Sequence, residues 1–298
     1  MDTRTLRIAL ALAALSLLAD ARAQTVIRAD EDLSHTRPEA WAMNYVAAST
    51  LMTSFGATPS LTPGRWQVGG DLGHIPRLSD SQQQVGFIGT KQEDLNRSPV
   101  FGRIRAMVGL PAGFVLEGGY TPPLTIDGTQ PRDLFALALG RRVYEREDWS
   151  VSLRGFGQVG RVHGDITCPR RVSNLPAEEN PYGCREASDD RILLNLYGLD
   201  ATTAWRRGDW SFHGTLGVVR TDLEVQVDAL VFDNRDRSKL TARGSWQYLA
   251  AGASYDLDRC WKLAAEILYV PLKVQRDTDG PTERDPLTSL RLRAMYRF

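Results

Sequence analysis

Beyond Leu18 the chain has no long hydrophobic run; nothing there approaches the ~20 consecutive apolar residues that a membrane-spanning helix requires. It has no excess charge either, with 36 basic and 36 acidic residues among 298, which argues against a nucleic-acid binder held by phosphate neutralisation. Histidine is scarce, at four residues, and cysteine scarcer, at three. Their spacing makes no zinc site, and the chain has no phosphate-binding P-loop or dinucleotide fingerprint, so no cofactor is expected. Asp277-Thr278-Asp279-Gly280 starts like a calcium loop, but no bidentate glutamate follows at the required distance, and the run reads as a solvated turn.

What is present begins with an export signal. Arg4 and Arg7 precede an apolar run from Ile8 to Leu18, and Ala21-Arg22-Ala23 is a small-x-small cleavage site before Gln24. Residues 1–23 are therefore expected to be a signal peptide, 24–64 an N-terminal segment and 65–298 the main domain. If the exported chain lives in a membrane, it must cross it with strands. Cys168 and Cys184 flank a polar stretch, and in an exported chain such a pair is expected to be bridged. Cys260 is left over and reads as a partly shielded small apolar residue.

From Arg65 onward extended segments alternate with breaks of two sizes. Short breaks fall at 110–113, 145–148, 206–209 and 256–259, and long ones near 77–99, 122–132, 164–190, 228–238 and 275–286. Short and long take turns. Aromatic residues bracket the short ones: Tyr144 and Trp149, Trp205 and Trp210, Tyr255 and Trp261. Amphipathic rings are most stable at the lipid headgroup level, so three such pairs at one end suggest a girdle.

The segments alternate with period two. In Leu290 to Phe298 one face reads Leu, Leu, Ala, Tyr, Phe and the other Arg, Arg, Met, Arg. Trp261, Leu263, Ala265, Ile267 and Tyr269 likewise oppose Lys262, Ala264, Glu266 and Leu268. Soluble strands average about 5–6 residues, and the segments here are two to three times that, long enough to cross a bilayer at a tilt. Ten are counted, at about 65–76, 100–110, 113–123, 133–144, 149–163, 191–205, 210–227, 239–255, 261–274 and 287–298. The expected fold is all-β, an antiparallel up-and-down transmembrane barrel of about ten strands. In 191–199 the alternation is too poor to assign a lipid face.

Residues 37–55 read as an amphipathic, plug-like helix. Thr36-Arg37-Pro38-Glu39 matches a capping box, Trp41, Tyr45, Ala48, Met52 and Phe55 fall at helical spacing, and Gly56 is a plausible stop. Strand alternation through Trp41, Met43, Tyr45 and Leu51 also fits, but an eleventh strand would break the even count.

The export signal, the alternating short and long connections and the final Tyr296-Arg297-Phe298 resemble Gram-negative outer-membrane β-barrel proteins. The resemblance covers about 65–298 as a pattern. It implies an outer-membrane location, lipid around the barrel, and recognition of Tyr296 and Phe298 by the barrel assembly machinery. His163-Gly164-Asp165 at a strand end resembles the rim histidine and acids of omptin-like proteases, without further paired aspartates at matching strand ends. Ser211-x-His213-x-Thr215 is similar to the His and Ser pairing of barrel lipid A deacylases, but parity with Trp210, Phe212, Leu216 and Val218 turns His213 inward. Both read as non-catalytic.

The charges expected to face the lumen are Arg103, Arg105, Glu117, Arg154, Arg243, Lys262, Glu266, Arg291 and Arg293. Their economical role is mutual pairing that fills a narrow barrel; the functional alternative is a basic constriction favouring anions. Ten strands leave little room. The expected function is a narrow channel or transporter for a small or amphipathic solute. A structural or surface-interaction barrel and an outer-membrane hydrolase using a rim histidine are the alternatives.

Overall fold

The computed structural model describes residues 25–277 and 279–298; the proposed signal peptide lies outside the described residues. Ten antiparallel strands close on themselves: β1 (Trp66–His74), β2 (Val100–Gly109), β3 (Phe114–Thr121), β4 (Gln130–Arg146), β5 (Trp149–Gly164), β6 (Asp190–Arg207), β7 (Trp210–Gln226), β8 (Lys239–Asp256), β9 (Trp261–Val270) and β10 (Leu287–Arg297). Each pairs with its neighbours in sequence, and β10 closes on β1 with Leu292 opposite Leu72. Closure leaves no sheet edge at membrane depth, which is the condition for strands to sit in lipid.

The barrel surface sorts by parity. Ile104, Leu137, Leu139, Leu153, Leu199, Leu216, Leu249, Ile267 and Leu292 face outward, each more than two-fifths exposed. That band is apolar around the whole cylinder. Below it lies an aromatic girdle at the short-turn end, where Trp66 stacks on Phe298 at 4.0 Å, Trp210 meets Tyr255 at 4.8 Å and Trp261 meets Tyr296 at 5.1 Å. A greasy belt bounded by amphipathic rings is what acyl chains and headgroups stabilise. The turns on this side are tight. In Arg207-Gly208-Asp209 the glycine sits at φ +60°, a conformation that carries no Cβ penalty for glycine.

β6 alternates poorly because Ile192, Leu194 and Leu196 face inward onto apolar cargo and are buried, so both of its faces are hydrophobic. β9 is shorter than its pattern: Pro271 has no N–H to extend the ladder, and Lys273–Val274 pairs instead with Glu283–Arg284.

The cargo is the chain's own N-terminal segment. Thr25–Ile27 adds in parallel to Asn234–Asp236, and Asp30–Leu33 to Lys239–Ala242 of β8, both at the long-loop end. Helix α1 (Pro38–Ser49) then enters the lumen. Residues 50–64 continue through it, and the Gly64 N–H reaches the Gly109 carbonyl at the opposite, short-turn end. The segment therefore threads the barrel from one mouth to the other.

Three sequence expectations change here. The helix stops at Ser49, well short of residue 55, because the carbonyls that follow bond to the wall. Its capping box does not form: Arg37 is the N-cap without a side-chain bond, and Glu39 turns to Arg37 and to the Ile88 N–H. Nor is the helix amphipathic in its setting; all but one of its residues are buried, as befits a helix enclosed by wall on every side.

Candidate functional site

The lumen is built from a cluster of arginines and the end of α1. A helix leaves its last carbonyls without partners and carries partial negative charge there. Arg291 donates to the carbonyls of Ala48 (3.0 Å), Ser49 (3.1 Å) and Leu51. Arg103 takes Thr50 (2.9 Å), Arg154 takes Met52 (2.8 Å), Arg105 takes Thr53 (2.9 Å) and Arg293 takes Ser54 (2.9 Å). The wall thus caps the backbone continuously from 48 to 54. Arg293 also lies over the Phe55 ring at 4.3 Å.

Buried arginines need acids. Glu117 sits among three of them, 2.5 Å from Arg105, 3.1 Å from Arg154 and 3.6 Å from Arg293. Asp71 pairs with Arg105 and Arg293, and Asp200 with Arg154 at 2.6 Å while accepting the Tyr248 hydroxyl at 2.7 Å. Glu266 bonds the Thr53 hydroxyl and lies 3.5 Å from His213. Arg103 makes no ion pair among the described residues; its Nη2 bonds Gln158 at 2.6 Å and its Nε, buried, has no partner.

Above this layer α1 is pinned by its few polar groups. The Asn44 carbonyl oxygen accepts from Trp246 Nε1 (3.0 Å) and the Thr221 hydroxyl (3.3 Å), and its amide donates to Ala40 (2.8 Å). Tyr45 donates to the Pro76 carbonyl (2.7 Å) and Trp41 to that of Asp285 (3.0 Å).

One expected lumen residue lies elsewhere. Arg243 points outward at the rim, 3.0 Å from Asp222, because Trp246 and Tyr248 set the inward parity of β8 and fill the space around α1. Above the apolar band an outward charge costs nothing. Lys262 faces inward but low, in a polar vestibule of about 430 Å³ at the short-turn mouth, with Asp256 and Arg297 nearby.

The other mouth is roofed by loops. Cys168 and Cys184 are disulfide-bonded and buried against Ala229 and Val231. Breaking this bond by Cys184→Ser is expected to cost this loop about 3 kcal/mol, seen as faster proteolysis of 165–189 with unchanged heat-modifiable mobility of the barrel. His163 contacts Asp189 at 3.4 Å, not Asp165, which engages Arg97 (3.1 Å) and the Arg170 N–H (2.8 Å). Residues 277 and 279–280 form a turn closed by the Gly280 N–H on the Asp277 carbonyl.

Glu93 lies buried in the first long loop, with Lys91 Nζ 2.8 Å away. Burial pushes its carboxyl up to about 7, against the opposing pull of Lys91, with Asp190 and Glu39 adding to the rise. Its folded value exceeds the ordinary 4.5, so the stability it lends is complete below that value and is lost as pH rises through about 7. Cleavage of the 75–99 loop by a protease is expected to be several-fold slower near pH 5 than near pH 8, with Glu93→Gln flattening the difference.

No protein-family model matches the chain, and no curated protein does. Among solved structures it is similar to an outer membrane channel from Pseudomonas putida F1, at 12% identity over 84% of this chain and 100% of that one, with a TM-score of 0.41. It is also similar to the outer membrane protease OmpT from Escherichia coli, at 11% identity over 81% and 99% with a TM-score of 0.33. A third is Ail, the attachment invasion locus protein of Yersinia pestis, at 10% identity over 80% and 100% with a TM-score of 0.28. At these TM-scores the likenesses carry no argument; the membrane assignment stands on the closed cylinder, its apolar band and its girdle. The chain is a closed ten-stranded antiparallel β-barrel with a lipid-compatible outer band, carrying its own N-terminal segment as a plug.

Proposed function

We propose that this barrel transports a small amphipathic solute while its N-terminal segment keeps the lumen shut to ions. The observation that carries the reading is the contrast between the two halves of the lumen. Its lower half is packed with paired charges and residues 50–64, whereas two largely apolar cavities, about 480 and 550 Å³, flank α1 near the long-loop end. They share Val46, Leu95, Ile166 and Ile192 in their walls. Cavities of that size suit a small apolar body rather than a hydrated ion. Arg105, Arg154, Arg291 and Arg293, which could have formed an anion constriction, are spent on carbonyls of residues 48–54 and, for all but Arg291, on buried acids.

The reading gives His163 and His213 no catalytic step and requires no cofactor. Its partners are outer-membrane lipid, the assembly machinery acting on Tyr296 and Phe298, and the solute. Planar-bilayer recording tests it: the unaltered protein should give no resolvable openings, and a steady open current would contradict it.

A surface-interaction role is the second reading, favoured by Phe87, Ile88 and Phe232, which are all more than two-fifths exposed on the long-loop side. Replacing Phe232, which lines neither cavity, by serine would weaken adhesion to a surface partner and leave solute uptake intact.

A further inference from the structure

Between β2 and β3 the wall is notched at its long-loop end. β2 and β3 pair from Gly109 opposite Val115 up to Ile104 opposite Tyr120 and no further. Pro122 and Pro123 follow β3 directly and supply no N–H to the ladder, so Val100 to Arg103 pair with β1 on one side only. The notch opens just above outward-facing Tyr120 and Phe135, which stack at 5.1 Å, near the upper limit of the apolar band. Arg97 roofs it, bonding the Asp127 carbonyl at 3.3 Å and Asp165.

The 480 Å³ cavity lies behind this notch and is bordered from both faces of the wall. Tyr45, Val46 and Leu134 line it from the lumen, and Leu72, Gly102 and Ile104 belong to the lipid side. Leu124, the most exposed large apolar residue of the barrel's upper rim at 67%, lies at its mouth. At its inner end is Arg103, only 2% exposed, without an acid partner among the described residues and with an unbonded Nε. Its placement is built in: a Cβ on Gly119 would come within 2.8 Å of the Arg103 Cδ, so glycine there makes room for the side chain. Asp71, its cross-strand neighbour, is taken up by Arg105 and Arg293, so an incoming anion would give the buried guanidinium a contact partner of its own.

We propose that the cavity accepts an amphipathic carboxylate from the acyl-chain side of the wall, its apolar tail in the notch and its carboxylate on Arg103. The proposal rests on the solute-carrying reading and names its substrate class and entry route. The test uses the full mature chain in phosphatidylcholine nanodiscs with cis-parinaric acid as probe. Saturable fluorescence above that of empty nanodiscs is expected, with affinity about tenfold weaker for methyl parinarate and for Arg103→Gln. Equal affinity for acid and ester on the unaltered protein would overturn the carboxylate assignment, whether or not the variant folds.

The route is read separately. On a Cys260→Ser background, Thr121→Cys should react with bilayer-partitioned N-pyrenylmaleimide and resist a charged methanethiosulfonate, while Thr221→Cys, buried behind an intact wall, resists both. Thr121→Cys as inert as Thr221→Cys, or open to the charged reagent, would overturn the lateral route, and planar-bilayer silence would still stand for the plug.

Discussion

Glu117→Ala is expected to destabilise the folded barrel by about 3–5 kcal/mol, the cost of stranding buried charge. Glu117 is the one acid that touches Arg105, Arg154 and Arg293, and only about 4% of it reaches solvent. Without it Arg154 keeps Asp200, Arg105 and Arg293 must share Asp71, and the layer holds three guanidinium groups against two carboxylates. Little water reaches them to screen the charge: Met52, Phe55 and the wall surround the layer, and only the vestibule at the short-turn mouth touches Glu117, Arg154 and Arg293. Urea unfolding in detergent, followed by loss of heat-modifiable mobility, measures the change; Glu117→Gln should recover a minority of it, since an amide keeps the shape without the charge. An unchanged midpoint for Glu117→Ala would mean the layer does not carry the barrel.

Arg291→Ala is expected to act on the plug more than on the wall. Its guanidinium holds three carbonyls at the end of α1, and charged hydrogen bonds of this kind are worth about 1.5–3 kcal/mol each. Allowing for water replacing part of that, about 2–3 kcal/mol of plug retention is lost, a roughly 30- to 150-fold rise in the undocked population. The strand ladder of β10 against β9 and β1 is untouched, so the barrel remains closed. Planar-bilayer records should change from silence to frequent openings. Silence with the variant shown folded by gel mobility would say that α1 is held by its apolar packing and Asn44 alone.

The barrel was legible because each of its signals is local. Alternation over ten residues, a tryptophan after a tight turn and a proline at a strand end are each written in one stretch of chain, and the counted strands match those observed to within a few residues except at β9. Arg243 was misplaced for the same reason: its own stretch alternates weakly, and the inward parity of β8 is set by Trp246 and Tyr248 packing on a helix more than 190 positions earlier. The threading of the plug is a long-range property. Its trace in the sequence is the absence of any charge from Ala40 to Gly64, in a chain with 24% charged residues. A helix apolar all round is a buried helix. That Asp71, directly opposite Arg103, is engaged instead by Arg105 and Arg293 has no local signature, because Asp71 and Arg293 lie on other strands.

Entry of the N-terminal segment from the long-loop mouth predicts that Arg28 lies on the cell surface and Cys260, in the last tight turn, on the periplasmic side. Intact cells carrying Arg28→Cys, treated with a maleimide on a polyethylene glycol chain too large for porins, should show one labelled thiol, with Cys260 labelled only after the outer membrane is permeabilised. Labelling of Arg28→Cys that also waits for permeabilisation would contradict the threaded plug.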